Sequence, residues 1–517
     1  MKSCTLMGIV SLSLALMPAI QAATPTTRPI SLDECLQTAF RNNLTIQIIR
    51  YSPELAELNL TASYGAYDPN FNFAYGTDKA TRPPQTGVGQ IPVPGNVGWS
   101  QDGAMGLNGL LPTGADYRLT SSLLSQRSKF ATGTNLFGDP LFGYQAIAPA
   151  AAGITLTQPL LRDFWIDNAR WAIALNKKTV LQEEQSIRAQ LITTAADVQL
   201  AYYDLAAAIK GVEVQQQAVE LAERLLMENK KRVEVGALAP LEEKQAEAQV
   251  AQSRADLISA QQVYNVAQNT LKRLLTSDFA DLVDTTFQPS ETFKPQPYPF
   301  SRQESWSRGL TLRPDIIQSQ LELEKQNVTI RFRKNQMYPS LDLQGTFGVA
   351  AQTQAGGANY DSRSGLVDSS LNDIANTQYK NYGVGATLSF PLGNRTARSG
   401  LKAAKVERER LILRHKQLEQ SIMVALDNEI LAAQTSYERI GATRQARIYA
   451  EAALDAEQKK LENGKSTTFE VLRLQRDLTT ASRDEVRAVA DYFRAMSVLF
   501  RDEGSTLDRL GVKVNTY

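Results

Sequence analysis

Leu161–Val235 reads LRDFWIDNARWAIALNKKTVLQEEQSIRAQLITTAADVQLAYYDLAAAIKGVEVQQQAVELAERLLMENKKRVEV, 75 residues without a proline and with one glycine, Gly211. A helix of that length would reach roughly 110 Å, with a bend or break expected near Gly211. Thr396 to Asn463 has the same character, interrupted only by Gly400 and Gly441. Helices in globular domains seldom pass about 25 residues unless they are coiled coils or membrane spans. No segment beyond the N-terminus has about 18 consecutive apolar residues, which excludes a bundle of membrane-spanning helices. The segments that follow each long run support a coiled coil. Val250, Leu257, Tyr264 and Leu271 recur every seven residues, with Ser253, Ala260, Ala267 and Leu274 three places on. The second set is Val471, Leu478, Tyr492 and Leu499 with Leu474, Ala481, Ala488 and Ala495, interrupted by Glu485. An apolar position followed by a mostly small one makes a narrow heptad seam suited to close left-handed packing, or simply to an antiparallel hairpin.

The chain is one unit written twice. Ser31-Leu-Asp-Glu34 returns as Ser301-Arg-Gln-Glu304 at an offset of 270, and the same offset pairs Pro69 with Pro339. Both tetrapeptides fit the capping box that opens a helix. Thr155-Leu-Thr-Gln-Pro-Leu160 returns as Thr387-Leu-Ser-Phe-Pro-Leu392 at an offset of 232, and Gly211 and Gly236 return as Gly441 and Gly464. The change of offset leaves about 38 extra residues in the first copy, between Pro69 and Pro159. The expected division is a leader at 1–22, a first repeat at 23–288, a stiff Pro-rich connector at 289–300, a second repeat at 301–503 and a tail at 504–517. Each repeat reads as helix, strand, loop, strand, long helix, tight turn, long helix. The helical hairpins are expected at about 161–277 and 396–503, and the strands at about 70–160 and 340–392.

The strand signatures follow Pro69 and Pro339 and precede Pro159 and Pro391. Phe71, Phe73 and Tyr75 alternate with Asn72, Ala74 and Gly76, and Tyr382, Val384, Ala386 and Leu388 alternate with Gly383, Gly385 and Thr387. Alternation puts apolar side chains on one face and small or polar ones on the other, as in a sandwich or a membrane barrel. Four strands per chain cannot close a barrel, and open edges are not tolerated in lipid. If the strands span a membrane the chain must therefore associate: two copies would supply eight strands, three would supply twelve and a lumen. Arg82 to Pro94 and Gly133 to Pro149 read as surface loops, with room for an extra hairpin around Pro112-Thr-Gly114. Phe137, Phe142, Tyr144, Trp165 and Trp171 flank the strands, either as interface belts or as ordinary packing.

Composition narrows the function. Lys and Arg total 55 against 54 Asp and Glu, which gives no support to a nucleic-acid partner. The single histidine, His415, excludes two-histidine metal sites, lies beside Arg414 and Lys416, and reads as a solvated residue. The two cysteines, Cys4 and Cys35, make no disulfide scaffold, and Cys35 reads as a half-buried helix residue. The composition argues against an enzyme and implies no cofactor and no metal. Lys2, the apolar stretch Leu6–Leu16 and Gln21-Ala22-Ala23 form a secretory leader cleaved after Ala22.

From Ser31 to Glu503 the chain resembles the TolC-like outer-membrane efflux proteins. The residues that carry the resemblance are Ser31-Leu-Asp-Glu-Cys-Leu-Gln-Thr-Ala-Phe40 with Asn42-Asn43, Thr157-Gln-Pro-Leu-Leu161, Arg313-Pro-Asp315, Tyr338-Pro-Ser-Leu-Asp-Leu343, and the turn glycines Gly236 and Gly464. The resemblance implies a mixed α and β membrane protein with an internal duplication. It would be a homotrimer whose 12-stranded outer-membrane β-barrel, four strands per chain, continues into a long periplasmic α-helical coiled-coil barrel. It further implies a channel, the exit duct of a tripartite efflux or type I secretion system. A periplasmic adaptor would connect it to an inner-membrane pump of RND, ABC or MFS type, and it would do no chemistry itself. Family members close the periplasmic end with charged side chains near the hairpin turns. The matching acids are Glu242 and Glu470, while a further family acid falls on Arg473, which could instead pair with Glu242, Glu243 or Glu470. The turns at Gly236 and Gly464 are where relatives meet the adaptor. Two readings stay open: an exported periplasmic or surface coiled-coil structural protein without a pore, and an ungated porin, against which the long helices argue.

Overall fold

The computed structural model describes residues 26–83, 85–86, 92–93, 95–137, 140–236, 238–291, 293–357 and 364–511. The expected leader at 1–22 lies outside them. In chain order the first half gives β1 (Thr26–Ile30), α1 (Leu32–Asn42), α2 (Leu44–Tyr64), β2 (Asn70–Arg82), the short pair β3 (Gln85–Thr86) and β4 (Pro92–Val93), β5 (Asn96–Leu110), β6 (Asp116–Thr134), β7 (Pro140–Pro159), α3 (Asn168–Glu234) and α4 (Pro240–Leu275). The second half gives β8 (Thr285–Pro289), α5 (Arg302–Leu312), α6 (Pro314–Asn335), β9 (Ser340–Gly357), α7 (Ser364–Ala375), β10 (Lys380–Ser389), α8 (Arg395–Glu462), α9 (Thr468–Asp502) and α10 (Thr506–Arg509). The lengths of matching helices agree closely: 11 residues for α1 and α5, 67 and 68 for α3 and α8, 36 and 35 for α4 and α9. Neither Gly211 nor Gly441 breaks its helix; at both places an added Cβ would meet open space. Among the described residues no helix is long and apolar enough to cross a membrane.

The chain divides into two compact bodies, each drawing on both halves. The first holds the chain up to Gln47, Gln190–Trp306 and the residues from Ala425 on. Its centre packs Leu36, Ala39, Val198, Tyr202, Leu205 and Leu271 around the parallel pair β1–β8. Ser31 caps α1 by accepting from the Glu34 backbone N–H at 3.2 Å, and Ser301 does the same for Glu304 at 3.4 Å. Glu34 itself pairs with Arg28. Cys35 is fully buried rather than half-buried, and burial pushes its thiol up to about 12. The Pro-rich connector is docked: the Tyr492 hydroxyl donates to the Gln296 carbonyl at 2.5 Å, and Tyr298 and Phe300 pack beside Phe500. Glu485, the break in the second heptad seam, bonds Arg444 at 3.1 Å and Arg447 at 2.5 Å on α8, so the interruption is an inter-helix ion pair.

The second body, Ile48–Ala189 with Ser307–Val424, carries the sheet. Here the expectation of four strands per chain is wrong. The sheet has six strands in the order β10-β9-β7-β6-β5-β2, all antiparallel. The extra residues of the first copy are the reason. They form the hairpin β5–β6, which turns at Pro112-Thr-Gly114, with Gly114 at φ +84, and is inserted between β2 and β7. The surface loop expected at 133–149 is correspondingly short, since β7 begins at Pro140. Phe71, Leu107, Leu119, Ile154, Phe347 and Tyr382 lie in register as one row across all six strands. Phe71 is 67 % and Tyr382 85 % exposed, so this row of the apolar face is uncovered in the single chain, whereas Leu366 of α7 covers the same face at Ala146 and Ala148. The opposite face carries Asn72, Gly106, Thr120, Gly153, Gly348 and Asn381 in one row. The flanking aromatics divide: Phe142 and Tyr144 lie on β7, whereas Trp171 stacks on Phe332 at 4.9 Å as helix packing. His415 is not solvated; its imidazole meets the Ser319 hydroxyl at 3.0 Å and Glu419 at 3.4 Å.

Candidate functional site

The two helix hairpins of the first body turn at Gly236 and Gly464, with φ of +75° and +69°. An added Cβ would meet nothing within 4 Å at either, so glycine is required by the left-handed backbone and not by crowding. The turns then differ. Ala239 precedes α4 without a side-chain cap, and Pro240 supplies the helical start. Thr467 precedes α9 and accepts from the Glu470 N–H at 3.5 Å. The second turn is tied further by Ser466 donating to Glu457 at 2.6 Å and the Asn463 amide donating to the Lys459 carbonyl at 2.7 Å.

Two contacts join the first tip to the second. The Thr468 hydroxyl donates to the Glu242 carboxylate at 2.6 Å, and the Arg232 guanidinium donates to the Leu461 carbonyl at 3.2 Å. Beneath them Leu225 of α3 packs with Leu454, Leu461, Val471 and Leu472 of α8 and α9. Thr468 is fully buried, so its hydroxyl has surrendered water for the carboxylate. Asn229 is also fully buried, and neither polar atom of its side chain meets a partner among the described residues.

Charges surround this contact. Lys230 lies 3.9 Å from Glu243 and 3.7 Å from Glu247, and Lys244 bonds Glu247 at 2.7 Å. The hydrogen bond from Lys244 holds the Glu247 carboxyl below the usual glutamate range. Hydrogen bonds from Lys460 and Ser466 do the same for Glu457. The lysines are exposed and the glutamates partly so, and each such pair adds little stability by itself.

Of the three residues picked out from sequence, Glu242 points to the opposite hairpin, while Glu470 and Arg473 pair with each other at 2.7 Å along one turn of α9. Arg473 therefore meets one of the three acids offered to it. Sequence reading missed Thr468, Arg232 and Asn229. Only Asn229 left a trace, as a polar residue on the buried line Ala222–Leu225–Asn229.

Both hairpins lie within segments that match one family model, outer membrane efflux protein, at residues 119–277 and 307–501. The chain belongs to the outer membrane efflux protein family. It is 24 % identical over 353 residues to the outer membrane protein TolC of Escherichia coli K12, a match covering 66 % of each chain, just under two thirds of that relative's length. Among solved structures it is similar to the outer-membrane channel OprN, with a TM-score of 0.65, 14 % identity and coverage of 92 % of this chain and 90 % of that one. It is similar also to the CmeC outer membrane channel of Campylobacter jejuni, with a TM-score of 0.64, 15 % identity and coverage of 97 % and 95 %. At these identities the structural likeness speaks for the fold. The first matched segment begins inside β6, so the chain from β1 to β5 precedes it.

Proposed function

We propose that this outer membrane efflux protein is the exit duct of a tripartite efflux or type I secretion system, closed at its periplasmic end by the hairpin tips. The observation that carries the reading is the open sheet: six antiparallel strands, an apolar face uncovered apart from where α7 packs on it, and two edges, β2 and β10, whose outer sides have no partner among the described residues. β2 and β10 run in opposite directions, so β10 of one copy can pair antiparallel with β2 of the next and the ring can close. Closure removes the edges that lipid forbids and turns the polar face into a lumen. A homotrimer closes on eighteen strands, not the twelve expected from four per chain; twelve would now correspond to two copies. Self-association is further supported by Ile48, Tyr51, Leu55 and Leu58, an exposed apolar stripe at helical spacing on α2. The tips at Gly236 and Gly464 are offered to a periplasmic adaptor leading to an inner-membrane pump of RND, ABC or MFS type. Glu242, Glu470 and Arg473 are the charges placed at the gate. The pore-free coiled-coil reading is not favoured, because it has no use for the sheet.

The test is the mass of the protein component after mild detergent extraction of the outer-membrane fraction, with single-channel conductance on the same sample. Three chains with a gated conductance are expected. A monomer in the soluble periplasm would overturn the reading.

A further inference from the structure

The apolar face of the sheet ends in a cluster of cations and aromatic rings. Ten residues along β7 from Leu156, the row Lys79–Trp99–Arg127–Ala146 crosses four strands, and the next row is Thr81–Val97–Lys129–Tyr144. These side chains alternate onto the same face as Phe71 and Ile154. Lys79 Nζ lies 5.7 Å from the Trp99 ring, and the Arg127 guanidinium lies 5.8 Å from Trp99 and 5.4 Å from Tyr144. Lys129 Nζ lies 4.1 Å from the Phe142 ring and 5.8 Å from Tyr144. Leu366 of α7 packs on Ala146 and Ala148 and, with Trp99 and Arg127, walls a recess there.

The position of the cluster along the membrane follows from strand geometry. Ten residues of strand span about 34 Å. At a tilt of about 45° that is about 24 Å along the bilayer normal, close to the height of the apolar band of an outer-membrane barrel. Leu156 lies at the strand end that runs on into α3, the periplasmic side. The cations therefore stand at the far, outward boundary, where a lipid-facing charge costs least. No carboxylate shares these two rows. The nearby acids Asp78 and Asp102 alternate to the opposite face. Lys79 and Lys129 are ion-paired to no described residue and keep their heads over aromatic rings. Apolar surface below, aromatic rings at the boundary and uncompensated ammonium groups above them are complementary to a phosphorylated lipid headgroup whose acyl chains lie along the same face.

We propose that Lys79 and Lys129, with Trp99, Phe142 and Tyr144, form a binding site for the phosphate of a lipid headgroup in the outer leaflet. The site rests on the barrel reading above, because only a closed barrel in a membrane gives this face to lipid. A polypeptide partner is disfavoured because the cluster is continuous with the apolar band.

The test uses the full chain, assembled and purified in mild detergent. Native mass spectrometry counts bound lipid after addition of a diphosphorylated glucosamine-disaccharide lipid, its dephosphorylated form, or inorganic phosphate. The phosphorylated lipid is expected to bind at least tenfold more tightly than the dephosphorylated form. Lys79→Gln/Lys129→Gln is expected to abolish that preference, and Lys79→Arg/Lys129→Arg to keep it. Equal binding of both lipids, unchanged binding in the Gln variant, full competition by inorganic phosphate at millimolar concentration, or a co-purifying polypeptide lost in the Gln variant would each overturn the proposal. Failure of the chain to assemble in the membrane fraction would instead overturn the barrel, so the two failures are told apart by the same spectra.

Discussion

The two hairpin tips are copies of one design that have come to be held in different ways. The second is locked within itself: Thr467 caps α9, Ser466 reaches Glu457, and Asn463 closes on Lys459. The first has no side-chain cap on α4 and is braced within itself only by the exposed pairs of Lys230 with Glu243 and Glu247, while two hydrogen bonds run to the second tip: Thr468 donates to Glu242, and Arg232 donates to the Leu461 carbonyl. A tip secured by its own bonds can move only as a unit. A tip secured by its neighbour can be released by breaking the neighbour's contacts while both helices stay intact. If the tips move, the first hairpin, tied to the second through Thr468 and Leu461, is expected to be the one released, with the second as its seat.

The largest effect is expected where the two tips share a core. Leu461 is 5 % exposed and packs with Leu225, Leu454 and Val471. Leu461→Ala removes that packing and should cost about 2–5 kcal/mol. Hydrogen exchange should quicken in both tips together. Exchange that quickens in one tip alone would show that the core is not shared.

Next comes the bond between the tips. Thr468→Val keeps the volume and leaves Glu242 facing an apolar methyl, at a cost of about 1.5–3 kcal/mol for a hydrogen bond to a charged group. The amides of Val235 to Ala239 and of Leu241 are expected to exchange faster and single-channel conductance to rise, while the amides of α9 keep their protection through Thr467. Loss of protection in α9 instead would reverse the roles of seat and mobile element. Acid should act on the tip contacts in the same direction. Glu247 and Glu457 have carboxyls held below 4.5, so the contribution of their bonds is complete above pH 4.5 and is lost as pH falls through their lowered values. Amide protection within each tip is therefore expected to fall slightly on acidification below about pH 4.5, and by less in the first tip of Lys244→Ala, where Glu247 no longer has its principal partner.

How much of this was legible in the sequence depended on the range of the interaction. The long helices were legible because a missing proline and a left-handed glycine act locally, and the spacing of Gly236 and Gly464 marked both turns. β5 and β6 were not. β5 is broken by Gly98, Gly103, Gly106 and Gly109, and β6 places Leu123 beside Leu124, so neither shows clean alternation. They are held as strands by continuous pairing on both sides, which only the folded sheet supplies. The site divides in the same way. Glu470 and Arg473, three residues apart on one helix, could be paired from spacing, whereas the partner of Glu242 lies 226 residues away. Thr468 gave no sign, because a threonine at a helix start reads as a cap whether its hydroxyl turns to the backbone or to another hairpin.

The smallest effect belongs to Arg473, a cation where the resemblance implied an acid. Arg473 and Glu470 form a pair within one turn, with side chains 55 % and 39 % exposed, and such pairs are worth below about 1 kcal/mol. Arg473→Ala should therefore leave protection of both tips unchanged, since neither the cap at Thr467 nor the Glu242 bond involves it. Its charge is another matter. Removing one cation from each copy leaves Glu470 uncompensated, and a ring of such carboxylates on a narrow axis favours cations. Reversal potentials across a salt gradient are expected to shift toward cation selectivity in Arg473→Ala and further in Arg473→Glu, with conductance at symmetric salt little changed. An unchanged reversal potential in both variants would place the pair away from the ion path, and the tip would then be closed by the Glu242–Thr468 contact without help from the charges on α9.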